Sequence, residues 1–389
     1  MSKAEFDWRT IAALNAVSAL AQVGQFGVAY VVLPVWLAEQ GLDVTQLGLF
    51  ASSLWLGQLP GLAVAPWLCH HLGARRVIIL ALLCTAVTLV GIALTAWPYW
   101  SMGGALAGFG LGLRWIGLEP WLYRIAPAES RGRLVGFHET LIALAPIVAP
   151  ALAGSFGLHG KALFWIGGVF CIGAFLPLAL ARKEPPHVDT VSNSGIHIHL
   201  AAQLRERIFK LGVAIALVGG MMEAALSGLF ELFAQGHGIT SSQTTDLLAL
   251  FGLGGLLLQY AVGWLADHRG VGVAAFWCAI GTLLVCVALA MPMDYMLVML
   301  AVFLLGGFIT AFLTLALIAS TMTQSGTMAS NVSLISMLYT LSAVAGPLMA
   351  GAVMKATDTN ALMWSIATAA LLLMAVLAWL ARAKPSSWA

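Results

Sequence analysis

"GWLADHRG", residues 263–270, closes one of the apolar runs of this chain, and "PWLCHHLG", residues 66–73, closes another 197 positions earlier. At that offset Trp67 falls on Trp264, Leu68 on Leu265, His71 on His268 and Gly73 on Gly270. The same offset brings "APALAG" (149–154) onto "GPLMAG" (346–351), so that Pro150 meets Pro347. Two matches at one spacing, each at an equivalent helix end or interior, point to duplication of one structural unit.

Composition says what that unit is. Of the 389 residues 61% are hydrophobic and only 9% are charged, where soluble domains carry about 25% charge. Spanning a bilayer takes about 20 predominantly apolar residues. Twelve runs of that order cover 10–36, 44–68, 75–97, 99–123, 132–157, 161–181, 208–234, 244–266, 271–291, 294–320, 328–354 and 359–382. The longest polar stretch, Arg182 to Arg207, separates six of them from the other six. The expectation is an all-α polytopic membrane protein with twelve transmembrane helices in two pseudo-symmetric six-helix bundles. Residues 1–181 form the first bundle, 182–207 a connector and 208–389 the second. The first run is too long for a signal-peptide core and lacks a small-residue cleavage site, so it reads as a retained helix.

Lys and Arg accumulate in loops that stay cytoplasmic. With the N-terminus inside, fifteen of the eighteen basic residues are cytoplasmic, only Lys161 and Lys355 are outside, and Arg114 lies in the membrane. Both termini are therefore expected in the cytoplasm, in a bacterial inner membrane. The formal charge of +2 reflects this sidedness and gives no reason to expect nucleic acid. The five cysteines lie in or beside apolar runs without a CxxC pair and read as packing residues. His187, His197 and His199 of the connector lack the acidic or thiol neighbours of a metal site, and neither metal nor cofactor is expected. Trp36, Trp97, Trp100 and Trp388 fall at span ends, where aromatic belts are expected.

"GWLADHRG" resembles the loop signature of the major facilitator superfamily, G-x-L-A-D-[RK]-x-G-[RK]-[RK], between the second and third helices of a half. The resemblance implies two six-helix bundles flanking a midplane site. It assigns Asp267 and its neighbour His268 to the cytoplasmic gate. The trailing basic pair is replaced by Val271 and Gly272, and in the first half His70 takes the acidic position, leaving Arg75 and Arg76 as gate candidates. "LPVWLAEQGL", "LEPWL" and "ESRGRLVGFHETL" resemble a bacterial branch of that superfamily, the YcaD-like transporters, in which an acid recurs at the position of Glu119. An antiporter signature of the fifth helix would read Gly136, Ala145, Ala149, Pro150 and Ala153, with alanine at three of its glycines.

Charge inside the spans carries the functional reading. A charged residue at a helix centre costs about 2.5–3.5 kcal/mol on insertion scales, and is tolerated where it faces protein or a hydrated cavity. Arg114 is near the centre of the fourth run and Glu223 near that of the seventh, with Glu119, Glu139 and Glu231 farther from the centres. Arg114 and Glu119 stand about 140° apart around a helix and roughly 7.5 Å along it, a poor geometry for a direct pair. Arg114 is therefore expected to meet Glu223, with Gln22 and Gln25 as neutral alternatives, while Glu119 points toward Glu139 and His138. Pro120 removes a donor to the carbonyl of Ile116 and bends the helix beside the acid. Glu119, Glu223 and Glu139 are the candidates for carrying a proton.

Asn15, Ser18, Gln22 and Gln25 form one stripe of the first run, and Ser333, Ser336 and Thr340 one of the eleventh, with Tyr339 beside it. With Arg114 and the neighbouring Trp115 they supply the substrate candidates Asn15, Gln22, Gln25, Arg114, Trp115, Ser336, Tyr339 and Thr340. Enzyme marks are missing. "HETLI" (138–142) lacks the second His of a zinc motif, and there is neither a G-x-S-x-G turn nor a phosphate loop. The expectation is a monomeric, proton-coupled secondary transporter in a lipid bilayer, exporting a small amphipathic or weakly anionic solute by antiport. Proton symport of a small organic acid or nutrient is the alternative, and a passive facilitator or channel the rival from another class.

Overall fold

Hydrocarbon offers backbone N–H and C=O groups no water, so each apolar run must close its hydrogen bonds within itself, as helix. The computed structural model describes residues 7–125, 131–156, 162–181, 200–325 and 328–382. In chain order the spans are α1 (Trp8–Glu39), α2 (Val44–Leu72), α3 (Ala74–Leu94), α4 (Tyr99–Ile125), α5 (Arg131–Ala143 continuing as Ala145–Phe156) and α6 (Ala162–Leu180). After the connector follow α7 (Arg207–Gly236), α8 (Ser241–Arg269), α9 (Val271–Leu289), α10 (Tyr295–Thr321), α11 (Met328–Ala356) and α12 (Ala361–Arg382). Each of the twelve apolar runs is a helix. Ten are long and apolar enough to cross a membrane among the described residues; α4 carries buried charge, and α5 is interrupted at Leu144.

The repeat extends into the contacts. α2 opens on a capping box of Asp43 with Gln46, and α8 on one of Thr240 with Gln243. Both end at a glycine of positive φ, Gly73 at 86° and Gly270 at 89°, a backbone region that side chains disfavour. One turn earlier His71 Nδ1 donates to the Trp67 carbonyl at 2.8 Å, and His268 Nδ1 to that of Trp264 at 2.8 Å. Gly57 of α2 and Gly108 of α4 press against the carbonyls of Ala105 and Leu54; Gly254 of α8 and Gly306 of α10 press likewise against Phe303 and Phe251. Apolar lipid supplies no hydrophobic drive between helices, so such backbone-to-backbone crossings, rich in dispersion contact, hold a bundle together.

The halves meet at the end remote from the connector. There a Cβ added to Gly48 of α2 would stand 2.8 Å from the Pro347 carbonyl of α11, and one on Gly351 would be 3.3 Å from the Val44 carbonyl. Gly228 of α7 packs on Ala51 of α2, and Gly154 of α5 faces Thr245 of α8. One apolar core runs through this far seam, joining Leu47, Phe50 and Leu54 to Leu226, Leu229 and Phe230. At the connector end the first half instead gathers its own cluster, with Leu14, Val17, Ile78, Leu118, Trp121 and Leu178.

Two local ties finish that end. Arg75 donates to the carbonyl of Ala181, with its guanidinium 6.0 Å from the Trp121 ring, binding α3 to α6 and α4. In the second half Glu206, just before α7, accepts from the backbone N–H groups of Gln324 (2.9 Å) and Ser325 (2.5 Å). Burial pushes the Glu206 carboxyl up, but the hydrogen bonds from Ser325 and the two backbone amides outweigh it and hold the carboxyl below its ordinary value. Gln203 donates to Asn331 at 2.5 Å, and Asn331 to the Thr323 carbonyl at 3.3 Å. The belt reading of Trp36 and Trp100 is corrected. Both are 8% exposed and pack edge to face, 5.8 Å apart, with Trp100 Nε1 donating to Ile92.

Candidate functional site

Among the described residues, one polar constellation in the apolar interior of each half bears on the site. The first grows from the stripe on α1. Arg114 of α4 is 2% exposed, and its fork of donors is spread over neutral oxygens. Nε donates to Gln25 Oε1 at 2.6 Å, Nη1 to Ser18 Oγ at 3.1 Å, and Nη2 to Gln22 Oε1. Gln25 in turn donates to Thr85 Oγ1 (2.9 Å) and the Ala81 carbonyl (3.2 Å) of α3. His138 of α5 closes the group, with Nδ1 3.1 Å from Asn15 Oδ1 and Nε2 3.4 Å from Ser18 Oγ. A planar guanidinium with five fixed donors is met by acceptors at fixed helical spacing.

Arg114 and Glu223 are therefore not partners, which corrects the expected pairing. The α1 amides belong to Arg114's own bundle and reach it first, whereas Glu223 lies across the midline. Glu119 of the same helix lies near enough to act electrostatically on Arg114. The side chain of Glu139 lies outside the described residues. Glu231 is buried near the far seam, where it accepts from Ser241 (2.5 Å) and Gln235 (2.9 Å) and fastens α7 to α8.

The second constellation is Glu223 of α7, whose Oε2 accepts from the Tyr339 hydroxyl of α11. Glu223 also lines a cavity of about 130 Å³ between the halves. Phe26 of α1 and Pro146 of α5 face it from one half, and Leu226, Phe251, Gln259 and Thr310 from the other. Glu223 is the charged residue of that lining, and most of the remaining wall is apolar. Gln259 is tied by donation to Thr314. An acid with a hydroxyl partner, set in an apolar wall, can take a proton or bind a donor group of a solute.

Of the expected substrate residues, Asn15, Gln22, Gln25 and Arg114 come together, bonded among themselves and to Ser18, His138, the Ile11 carbonyl and α3. Thr340 is bonded back to the Ser336 carbonyl of its own helix at 3.0 Å. Trp115 is half-buried and absent from the cavity wall, while Tyr339 reaches the cavity through Glu223. Phe26, Phe251, Ser227 and Thr310 line the cavity without any sequence signal to separate them from ordinary packing residues. His138, expected only as a neighbour of Glu119, is a member of the arginine cluster. Of the gate candidates, Asp267, His268 and Arg76 are exposed at the connector end, and Arg75 is engaged with Ala181.

Comparison with known proteins gives this geometry its setting. The sequence profile of the Major Facilitator Superfamily matches residues 15–330 and, separately, 211–389. The chain is similar to an uncharacterized MFS-type transporter of Yersinia pestis (strain Pestoides F), 27% identical over 354 residues and 89% of each chain. It is also similar to the uncharacterized MFS-type transporter YcaD of Salmonella heidelberg (strain SL476), 26% identical over 358 residues and 89% of each chain. Among solved structures, a mutant of the nucleoside transporter NupG superposes with a TM-score of 0.83 at 14% identity, covering 95% of this chain and 99% of that one. A D-xylose-proton symporter superposes at 0.78 and 14% identity, covering 98% of each.

Proposed function

Because the chain belongs to the major facilitator superfamily and is a multi-pass membrane transporter, not an enzyme, we propose that it is a proton-coupled secondary carrier of a small amphipathic organic solute. It works by alternating access between residues 1–181 and 208–389 in a bacterial inner membrane, with both termini cytoplasmic. The observation that carries this reading is Glu223, paired with Tyr339, on an apolar cavity between halves joined at one end. With the connector in the cytoplasm, the joined seam is periplasmic and the conformation faces inward.

Export by antiport is the first reading. One carboxylate can hold a proton or a donor group of the solute, and competition for it makes their movements opposite. Apolar walls with Phe26 and Phe251 suit the solute's body. A proton crossing 100 mV supplies about 2.3 kcal/mol, enough to drive such exchange. Import by symport is the second reading. It is favoured by the Arg114 cluster, which offers a site for a weak anion once the guanidinium leaves α1. A passive facilitator would lack any dependence on the proton gradient.

A thermal-shift screen of small organic solutes, followed by flux into proteoliposomes under an imposed pH gradient, tests the reading. Glu223→Gln should abolish uphill flux and spare counterflow exchange. Uphill flux retained in that variant removes Glu223 from the coupling role, and Glu119→Gln then identifies the other candidate.

A further inference from the structure

We propose that His138 is a proton acceptor whose protonation unseats Arg114 from the α1 stripe. The inference rests on proton coupling in its symport form and adds to it a residue. The hydrogen-bond chain has fixed polarity because each end has only one role. Asn15 Nδ2 donates to the Ile11 carbonyl at 2.9 Å, and a carbonyl can only accept. Asn15 Oδ1 therefore faces His138, and Nδ1 of the ring must carry the proton across that 3.1 Å contact. At the other end Arg114 only donates, so Ser18 Oγ accepts from it at 3.1 Å. The Ser18 hydroxyl keeps its proton to give, and with the neutral ring's one proton on Nδ1 it can donate to the bare His138 Nε2, 3.4 Å away. A neutral ring thus serves both of these contacts.

A proton on Nε2 reverses the last link. The ring and the guanidinium then both point donors at one hydroxyl oxygen, the Ser18 O–H loses its acceptor in a buried cluster, and two cations share a group without charge. The cheapest relief is for Arg114 to leave Ser18, toward Glu119 or toward the cavity. Arg114 of α4 is the charged group acting on the ring, and Glu119 of the same helix acts on Arg114. The facing residues of α1 are neutral, with Asp7 and Arg9 at its start. On α8, which touches α5 near the cavity, Asp246 lies near one end, Asp267, His268 and Arg269 at the other, and Tyr260 between them. Binding free energies are reciprocal. A solute that draws Arg114 off α1 therefore raises proton affinity at His138, and an anion bound by Arg114 would travel with the proton.

The test uses the full chain in nanodiscs with ¹⁵N-labelled histidine and arginine, titrated with protons alone. His138→Gln assigns the ring signals, and Arg114→Lys those of the guanidinium. At alkaline pH the ring should carry its proton on Nδ1. Acidification should add one on Nε2 and shift the Arg114 Nε–H signal over the same pH interval, and Ser18→Ala should uncouple the two. A proton on Nε2 at alkaline pH, or an Arg114 signal that ignores the titration, overturns the proposal. In proteoliposomes carrying a solute found by the screen, His138→Gln should lose pH-driven flux. Undiminished flux in that variant overturns the role of His138 and leaves the carrier reading standing. Absence of pH-driven flux in the unaltered protein overturns proton coupling itself, and with it the role of His138.

Discussion

Alternating access requires the far seam to open, and Gly48→Ala is the substitution that asks whether it does. The new Cβ would stand 2.8 Å from the Pro347 carbonyl oxygen, 0.6 Å inside the 3.4 Å at which ordinary contact begins. The obstacle is backbone at a proline, with no flexible side chain to yield. Overpacking of this kind costs about 1–3 kcal/mol, and the cost falls only on the conformation in which α2 and α11 touch. The equilibrium should therefore shift toward the opposite, far-side-open state by about 5- to 150-fold. The assay is a distance distribution between spin labels at Thr45→Cys and Ser242→Cys, both exposed at the far end, in a background with the five free cysteines replaced. A longer distance should gain population in the Gly48→Ala protein. If the distribution stays unchanged while thermal stability falls, the seam is a permanent interface and the alternating mechanism is refuted.

Gly108→Ala and Gly306→Ala should each lower thermal stability by a similar amount, about 1–3 kcal/mol, because they drive a methyl into equivalent carbonyls of Leu54 and Phe251; Gly168→Ala, which meets nothing, should not. A stable Gly306→Ala beside an unstable Gly108→Ala, measured by thermal unfolding, would refute the equivalence of the two crossings. Glu206→Gln should destabilise the protein at neutral pH. Since the folded carboxyl sits below its ordinary value, its contribution is present above the unfolded value and disappears as pH falls through the folded one. The two proteins should therefore converge in acid, and a gap that persists there would mean the loss is not electrostatic.

The spans were legible because their signal is a sum over twenty residues, so even the charges of α4 did not hide it. The repeat was legible at "GWLADHRG" because a helix end demands a particular residue, a glycine at Gly270 where φ is 89°. The site was harder to read for a geometric reason. Sequence fixes which residues share a stripe but not how each helix is turned toward its neighbours. The stripe Asn15, Ser18, Gln22 and Gln25 was thus visible, with Gln22 and Gln25 as alternative partners of Arg114, whereas the choice between them and Glu223 was not. Trp36 and Trp100 failed in the same way, since a span end can face protein as readily as lipid. The cavity wall at Phe26 and Phe251 gave no signal, because an apolar side chain lining a cavity has the same chemistry as one filling a core.

The wide turn inside α1 also left no mark in composition. From Val23 to Val32 the helix is a π-helix, whose hydrogen bonds reach one residue farther than in the α-helical turns on either side. Gln22 just before it and Gln25 within it hold Arg114, and near its end Tyr30 donates to the Leu54 carbonyl at 3.0 Å before Leu33–Glu39 packs on α7 and α8. The segment sets the angular phase between these two duties. A π-helical turn takes in one residue more than an α-helical turn, so deleting a residue there and rewinding to α-helix removes the surplus, whereas the same deletion in the α-helical turns on either side would turn one end against the other by about 100°. A one-codon deletion should therefore be tolerated between Val23 and Val32 where it fails in the flanking turns.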